Sequence, residues 1–250
     1  MQRFNSKTVL ITGGTNGIGY ATAEEFIIRG AKVIITGRKH DTVNNAIKKL
    51  GRNAHGIISD AGNIQDIMQL ATEVKKYADS IDVLFVNAGY GKFAAIEDTD
   101  EELFDELFNM LVKGTYFTVQ QILPLINKQS SIILNTSFVT KFGMPNFSIY
   151  TAAKSAVGSF IKSFAAECTD KQIRVNGISP GYIQTNIFNN TGLNAEEIDS
   201  TIKNVIPTLP YKRFGLPKEI ASTVLFLASK ESSYIHGAEI AVDGGLSITK

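Results

Sequence analysis

Short apolar runs rich in β-branched residues recur along the chain, and longer amphipathic stretches separate them. The runs have the length and composition of buried strands, and the stretches have the periodicity of helices. The predicted strands are Thr8–Ile11, Lys32–Thr36, Ala54–Ser59, Val83–Asn87, Ser131–Thr136, Arg174–Ser179 and Ala238–Val242. The predicted helices are Ile18–Ile28, which Gly30 would close, and then Thr42–Leu50, Ile64–Tyr77, Glu101–Ile126 and Ser148–Thr169.

This alternation predicts right-handed βαβ crossovers and therefore a parallel sheet that is covered on both faces. The fold class is α/β: a single-domain, Rossmann-type, doubly wound parallel sheet with helices on both faces. No linker or repeat divides residues 1–250, so one domain is expected. The irregular segment at about 182–214 follows the sixth strand, where ligands usually bind in such sheets. It is expected to be a substrate loop, with a mobile lid over Ile187–Pro207.

Composition excludes several classes of function. The net charge is +1, too balanced for binding nucleic acid or a membrane surface, and neither partner is expected. One cysteine, Cys168, permits no internal disulfide, and the spacing of His40, His55 and His236 does not suit a metal site. The start of the chain holds no apolar stretch long enough for a signal peptide or a spanning helix. A cytoplasmic protein without a metal is therefore expected.

A glycine-rich turn joins the first predicted strand to the first predicted helix. It reads Thr12-Gly13-Gly14-Thr15-Asn16-Gly17-Ile18-Gly19, and Thr22 breaks the common G-x-G-x-x-G spacing. Its glycines would let a pyrophosphate approach the helix N-terminus, where free N–H groups and the helix dipole favour anions. A glycine-rich turn alone is equally compatible with a simple tight turn. Its place between strand and helix favours a phosphate site.

The end of the second strand bears on which dinucleotide is bound. A site that prefers NAD usually has an acidic residue here, which binds the ribose 2′-hydroxyl. Gly37 has no side chain to do this, whereas Arg38 carries a planar guanidinium suited to a 2′-phosphate. The alternative is that Arg38 is a solvated loop cation beside Lys39. The local chemistry favours NADP(H) over NAD(H).

Tyr150 and Lys154 are four residues apart at the start of a predicted helix and so share one face. We expect the lysine cation to lower the pKa of Tyr150 from about 10, which would make the phenol a usable acid and base. Ser137, at the end of the fifth strand, would donate a hydrogen bond to a carbonyl oxygen. The spacing of a Tyr and a Lys proves little by itself. Its place after Ser137 and behind the glycine turn makes the prediction specific.

Together these motifs resemble the short-chain dehydrogenase/reductase family, in its compact single-domain branch. The resemblance runs from about Lys7 to Leu246. It rests on Thr12-Gly-x-x-x-Gly-x-Gly19, Asn87-Ala88-Gly89, Ser137, Tyr150-Thr151-Ala152-Ala153-Lys154, Asn176 and Pro180-Gly181, with support from Arg213-Phe214-Gly215-x-Pro217-x-Glu219 and Val242-Asp243-Gly244-Gly245.

The resemblance implies NAD(P)(H)-dependent interconversion of a small-molecule carbonyl and an alcohol, with Ser137, Tyr150 and Lys154 as catalytic residues. Asp60 and Ala61 would flank the adenine. The residues expected to bind the dinucleotide are Gly13, Thr15, Asn16, Gly17, Ile18, Gly19, Arg38, Asp60, Ala61, Asn87, Ala88, Gly89, Tyr150, Lys154, Pro180, Gly181, Ile183 and Thr185. The family also implies a homodimer or homotetramer that packs through the long fourth and fifth helices.

Leu111 departs from the family pattern, which often has an asparagine there, just before Val112-Lys113-Gly114. In the family, that residue acts largely through a local distortion of the helix and through its backbone carbonyl. The carbonyl holds a water molecule that leads to the lysine and forms part of a proton relay. Because leucine retains the carbonyl, we expect the proton relay to survive.

Six apolar or aromatic residues fall in segments that would surround the nicotinamide, with no obvious basic side chain among them to bind a charged substrate. They favour an apolar or neutral carbonyl substrate: Phe138, Met144, Phe147, Tyr182, Ile187 and Phe188. The main alternative is a non-catalytic dinucleotide-binding sensor or scaffold, which would have lost one of Ser137, Tyr150 and Lys154. A sugar-nucleotide epimerase or dehydratase would need a further substrate domain, for which 250 residues leave no room.

Overall fold

The computed structural model describes residues 4–185 and 203–249 of the chain. Seven parallel strands form one sheet in the order β3-β2-β1-β4-β5-β6-β7, which confirms the predicted fold. The strands are β1 (Thr8–Ile11), β2 (Lys32–Gly37), β3 (Ala54–Ile58), β4 (Ile81–Val86), β5 (Ile126–Asn135), β6 (Arg174–Pro180) and β7 (Glu239–Val242). Strand order reverses between β1 and β4, and such a switch point opens a crevice at the carboxyl ends of the strands.

Helices cover both faces of this sheet. They are α1 (Gly17–Ile28), α2 (His40–Leu50), α3 (Ile64–Lys75), α4 (Glu101–Phe108), α5 (Gly114–Ile122), α6 (Ser148–Cys168) and α7 (Pro217–Ala228). The helices differ from the prediction in two places, described below.

Two apolar clusters form the core, one on each face. Successive strand residues point to opposite faces, so Leu84 belongs to the cluster beneath α3, α5 and α6, whereas Phe85 belongs to the cluster beneath α1 and α7. Ile132 and Ile133 divide in the same way, and all four side chains are fully buried. The sheet is therefore held from both sides, which fixes the positions of the loops at its carboxyl edge.

The prediction of one helix over Glu101–Ile126 is wrong in its second half. The helix is interrupted by a π-helical turn at Asn109–Lys113 and ends in a 3₁₀ turn, and Ile126 already pairs with Ile81 as the first residue of β5. Pro124, within that 3₁₀ turn, cannot continue the α-helical hydrogen bonding.

Helix α7 was not among the predicted helices. Its start carries ordinary signals, with Pro217 at the first position and the Glu219 carboxylate accepting the Leu216 N–H at 2.7 Å. Within the irregular segment, Ile183 bridges to Gly215 and Ile206–Thr208 forms a 3₁₀ turn. Ile187 and Phe188 lie outside the described residues, so the lid remains a prediction.

The π-helical turn contains Leu111, so the local distortion is present without an asparagine at position 111. The Leu111 side chain is 1% exposed and packs with Leu107, Met110 and Ala153. A Cβ on Gly89 would lie 2.5 Å from Leu111 Cδ2, so the leucine fills the space beside the β4 loop. Apolar side-chain packing therefore stabilises this turn, at the position where an asparagine amide would otherwise lie.

We predict that Leu111→Asn destabilises the protein by about 1–3 kcal/mol and does not raise turnover, because it buries an amide in an apolar cluster. Urea unfolding and steady-state rates measure the two effects. Leu111→Met is the control and should cost less than about 1.5 kcal/mol. An asparagine variant that is as stable as the parent and turns over faster would contradict this account.

Candidate active site

A cleft of about 680 Å³ opens at the carboxyl ends of the strands, over the switch point between β1 and β4. Loops after six strands contribute to its walls. All the predicted site residues line it except Gly19: Gly13, Thr15, Asn16, Gly17, Ile18, Arg38, Asp60, Ala61, Asn87, Ala88, Gly89, Ser137, Tyr150, Lys154, Pro180, Gly181, Ile183 and Thr185. The sequence motifs therefore converge on one cavity.

The glycine turn leads directly into the N-terminus of α1. Gly13 and Gly17 have φ of 65° and 53°, a region that disfavours any side chain. A Cβ on Gly13 would lie 2.8 Å from the Ala88 Cα, so this loop needs glycine to approach the end of β4. Gly19 does not line the cleft. A Cβ there would lie 2.2 Å from the Gly13 carbonyl oxygen, so its role is close packing of α1 beneath the turn.

Asn87 ties the glycine turn to the centre of the sheet. Its Nδ2 donates to the Thr12 and Gly13 carbonyl oxygens at 3.1 Å each, while the Thr12 hydroxyl accepts the N–H groups of Asn87 and Ala88 at 2.9 and 3.0 Å. Asn87 Oδ1 accepts from Asn135 Nδ2 at 3.0 Å. These bonds link the ends of β1, β4 and β5, so the cleft floor is rigid.

Arg38 lies over an aromatic ring at one end of the cleft. Its guanidinium carbon lies 5.1 Å from the centre of the Tyr90 ring, within the range of a cation–π contact. The Tyr90 hydroxyl hydrogen-bonds to Glu106, which also pairs with Lys92. Arg38 thus lines the cleft beside Tyr90, which argues against a purely solvated loop cation.

Tyr150 and Lys154 lie in the first two turns of α6, as predicted. Lys154 is buried, and its Nζ donates to the Asn135 carbonyl oxygen at 2.8 Å. The Tyr150 ring keeps partial contact with solvent, and the Ser137 hydroxyl faces its phenol as a hydrogen-bond donor. The Lys154 Nζ lies 5.9 Å from the centre of the Tyr150 ring.

The expected effect of Lys154 on the tyrosine is not what this arrangement gives. Burial raises the pKa of Tyr150 to about 12, and the hydrogen bond from Ser137 opposes the rise only in part. Burial also lowers the pKa of Lys154 to about 8. The prediction of a lowered Tyr150 pKa is therefore wrong here, because removal from water is the largest effect on the phenol. At neutral pH the phenol keeps its proton and the lysine remains mostly an ammonium.

The cleft fits a dinucleotide on three structural grounds. The N-terminus of α1, whose first-turn N–H groups have no partner within the helix, opens onto it. Asn135 Oδ1 is buried and accepts no hydrogen bond from the described residues. Lys154 is shown donating only to Asn135, and an ammonium has two further hydrogens. A ligand rich in phosphate and hydroxyl groups would satisfy these atoms.

Several residues that line the cleft were missed from the sequence. Tyr90 follows Asn87-Ala88-Gly89 directly, and this position was a usable signal. Phe93 and Phe214 come from loops whose course no periodicity predicts. Phe138, Met144, Phe147 and Tyr182 were anticipated and do line the cleft, whereas Ile187 and Phe188 lie outside the described residues.

Residues 4–185 and 203–249 contain no group of three or more His, Cys, Asp or Glu side chains that could hold a metal ion. Within the same residues, no helix is both long and apolar enough to cross a bilayer.

Comparison with known proteins identifies relatives of nearly full length. Residues 13–247 match the family profile described as enoyl-(acyl carrier protein) reductase. The oxidoreductase asL5 of Sarocladium schorii is 36% identical, with 99% of this chain and 98% of that protein aligned. The 3-oxoacyl-[acyl-carrier-protein] reductase FabG of Thermotoga maritima is 34% identical, with 98% and 100% aligned.

Solved structures agree with the sequence matches. The crystal structure of levodione reductase superposes with a TM-score of 0.92 at 28% identity, and the alignment covers 99% of this chain and all of that one. These and other relatives of similar length are named as oxidoreductases, dehydrogenases or reductases. The protein is a member of the short-chain dehydrogenase/reductase family and an oxidoreductase of that type.

Proposed function

We propose that the protein is an NADP(H)-dependent reductase of an uncharged carbonyl compound, with Tyr150 as its general acid. The observation that carries the proposal is the placement of Tyr150, Ser137 and Lys154 together on one wall of the cleft. Two hydroxyls face each other there, one turn of helix from a buried cation.

The dinucleotide would lie along the carboxyl ends of the strands. The N-terminus of α1 would take its pyrophosphate, and Asp60 and Ala61 would lie at its adenine end. Lys154 and the unpartnered Asn135 Oδ1 would bind ribose hydroxyls near the reacting ring. When bound, the reduced nicotinamide supplies the hydride that the carbonyl carbon gains.

The protein's own residues would handle the carbonyl oxygen. Ser137 would donate a hydrogen bond to that oxygen as negative charge develops on it. Tyr150 would then transfer its phenolic proton to the same oxygen, giving the alcohol. The raised pKa of Tyr150 suits this direction, because it keeps the phenol protonated at neutral pH while an alkoxide remains the stronger base. Lys154 would stabilise the resulting tyrosinate.

Arg38 supports the preference for NADP(H). Its guanidinium lies at the end of β2, over the Tyr90 ring, and faces the cleft. A 2′-phosphate on the adenine ribose could accept two parallel hydrogen bonds from that group. Gly37 offers no carboxylate that would favour the free 2′-hydroxyl. The relative FabG of Thermotoga maritima is named a reductase, and this name is consistent with the proposed direction of the reaction.

A non-catalytic sensor would need no Ser137–Tyr150 pair facing the cleft. Here both hydroxyls and Lys154 are retained in one cavity, which supports catalysis over sensing.

We further propose a homo-oligomer packed through the helices between β4 and β6. Tyr116 on α5 is 40% exposed and joins an aromatic cluster with Phe160 and Phe164 of α6. Phe104 on α4 is 41% exposed and stacks on Phe108. Exposed aromatic clusters of this kind mark interaction surfaces. A cytoplasmic location is proposed on the single, buried Cys168.

We predict that Tyr150→Phe lowers kcat for ketone reduction by about 100-fold to 10,000-fold, the usual range for a lost general acid. The dissociation constant for NADPH should stay within about threefold, because the phenyl ring is kept. Tyr234→Phe, at a fully exposed tyrosine that does not line the cleft, is the matched control and should leave both quantities unchanged. Retained turnover in Tyr150→Phe would show that the acid is another group.

We predict that Arg38→Leu weakens NADPH binding by about 10-fold to 150-fold, the worth of hydrogen bonds to a charged group. Its NADH binding should change by less than about threefold. Titration calorimetry with both dinucleotides measures the difference, and Lys39→Leu is the control, since Lys39 is exposed and does not line the cleft. Equal losses for NADPH and NADH, or tighter NADH binding by the parent protein, would contradict the proposal.

A further inference from the structure

The cleft is chemically divided along its length. The charged side chains that line it are Arg38, Asp60 and Lys154. Arg38 follows β2 and Asp60 follows β3, three and four strands from β5, which places them about 14–19 Å from the Ser137 loop at the usual strand spacing. Lys154 donates to the Asn135 carbonyl oxygen. Around Ser137 and Tyr150, the described lining is otherwise uncharged.

One aromatic pair stands beside Tyr150. The rings of Phe93 and Phe147 stack with centroids 4.1 Å apart and an interplanar angle of 24°, and Phe93 meets the Tyr150 ring edge-on at 5.7 Å. Phe93 is 36% exposed, so part of its ring remains open to the cleft.

The position of Phe93 is held by its neighbours in the fold. The Phe93 ring packs over Gly91, where a Cβ would lie 2.6 Å from Phe93 Cζ and would displace the ring. The Ala94 N–H donates to the Asn146 carbonyl oxygen at 3.0 Å, which ties the loop after β4 to the loop before α6. This hydrogen bond holds beside each other the two loops that carry the Phe93–Phe147 pair.

A second aromatic group stands beside Ser137. Phe138 follows Ser137 directly, and its ring lies 4.8 Å from that of Tyr182, which in turn stacks on Phe214 at 5.6 Å and 16°. These three residues and Met144 line the same cavity. The two hydroxyls that would meet a carbonyl oxygen are thus flanked by aromatic rings from three different loops.

Charge excludes one group of substrates. A carboxylate or phosphate enclosed at this end would lose its hydration, which is costly. Among the described residues around Ser137 and Tyr150, the cation is Lys154, which already donates to Asn135 and is assigned to the ribose in the proposed complex. Three basic side chains in the loops beyond the strand ends are paired with carboxylates, as Lys92–Glu106, Lys141–Glu239 and Arg213–Glu219.

Ring geometry favours one group among the neutral ketones. A flat π-system makes offset or edge-on contacts with several aromatic side chains. These contacts add to the free energy that it gains by burying apolar surface. A flexible aliphatic chain gains only the free energy of burying apolar surface, and it loses conformational freedom on binding.

We propose that the substrate is an uncharged, flat ring ketone whose ring packs against the Phe93–Phe147 pair and the Phe138–Tyr182–Phe214 group. This inference rests on the proposed carbonyl reduction. The ketone carbon gains a hydride from the reduced nicotinamide dinucleotide, which is oxidised, and the oxygen gains the Tyr150 proton, which solvent replaces. The product is the matching secondary alcohol.

The test compares two ketones with one carbon skeleton, 2-tetralone, which has an aromatic ring, and trans-2-decalone, which is puckered. With NADPH, kcat/KM for 2-tetralone should exceed that for the decalone by about tenfold, the upper range for added aromatic contacts. A 2-tetralone that carries a ring carboxylate should react at least about tenfold less well. A decalone turned over equally well, or a preferred carboxylate, would overturn the proposal.

Variants locate the effect. Phe93→Leu should raise KM for 2-tetralone about threefold to tenfold and leave KM for the decalone within about twofold. Tyr234→Leu, which removes a fully exposed ring outside the cleft, should change neither. Equal losses for both ketones in Phe93→Leu would mean a general structural role and would contradict the assignment.

A binding measurement distinguishes a failure of the proposed ring site from a failure of the proposed reaction. Saturation-transfer NMR on the full chain with NADP⁺ detects 2-tetralone and trans-2-decalone directly. Selective binding of 2-tetralone without turnover would contradict the proposed reaction and support the ring site. Turnover of both ketones without selectivity would contradict the ring site alone.

Discussion

A chain of hydrogen bonds runs across the carboxyl edge of the sheet, from the glycine turn to the helix that carries Tyr150. The Gly13 carbonyl accepts from Asn87, Asn87 accepts from Asn135, and the Asn135 carbonyl accepts from Lys154. The links measure 3.1, 3.0 and 2.8 Å. This chain connects the ends of β1, β4 and β5 to α6. The position of Lys154, and with it the first turns of α6, therefore depends on the same contacts that shape the glycine turn.

The proposed chemistry depends on that rigidity. The bonds fix Ser137 and Tyr150 relative to the floor of the cleft, so a carbonyl oxygen meets two hydroxyls whose separation the fold sets in advance. Burial, which accompanies this arrangement, raises the pKa of Tyr150 and lowers that of Lys154. The site therefore holds a protonated phenol beside an ammonium at neutral pH. That pairing suits donation of a proton to a developing alkoxide.

The sequence was most informative where chemistry and topology coincide. Strand alternation predicted the parallel sheet, and the motifs after β1, β4 and β5 met in one cleft because carboxyl ends of parallel strands share an edge. The sign of the pKa shift of Tyr150 was not predictable, since it depends on how deeply α6 packs. The break at Asn109–Lys113 has a helical sequence pattern, so hydrophobic periodicity alone did not predict the π-helical turn that the backbone forms there. The ring of Phe93 likewise owes its place to stacking on Phe147 and to the hydrogen bond between Ala94 and Asn146, contacts that a linear pattern does not encode.

The central claim is direct hydride transfer from a reduced nicotinamide to a carbonyl carbon within this cleft. The most direct measurement uses NADPH deuterated on either face of its nicotinamide C4, with 2-tetralone and the unaltered protein, and mass analysis of the alcohol. The account predicts that one of the two labelled forms delivers deuterium to the carbinol carbon, with one deuterium per alcohol formed and none exchanged with water. Alcohol that carries no deuterium from either form, or deuterium that appears in the solvent, would contradict it.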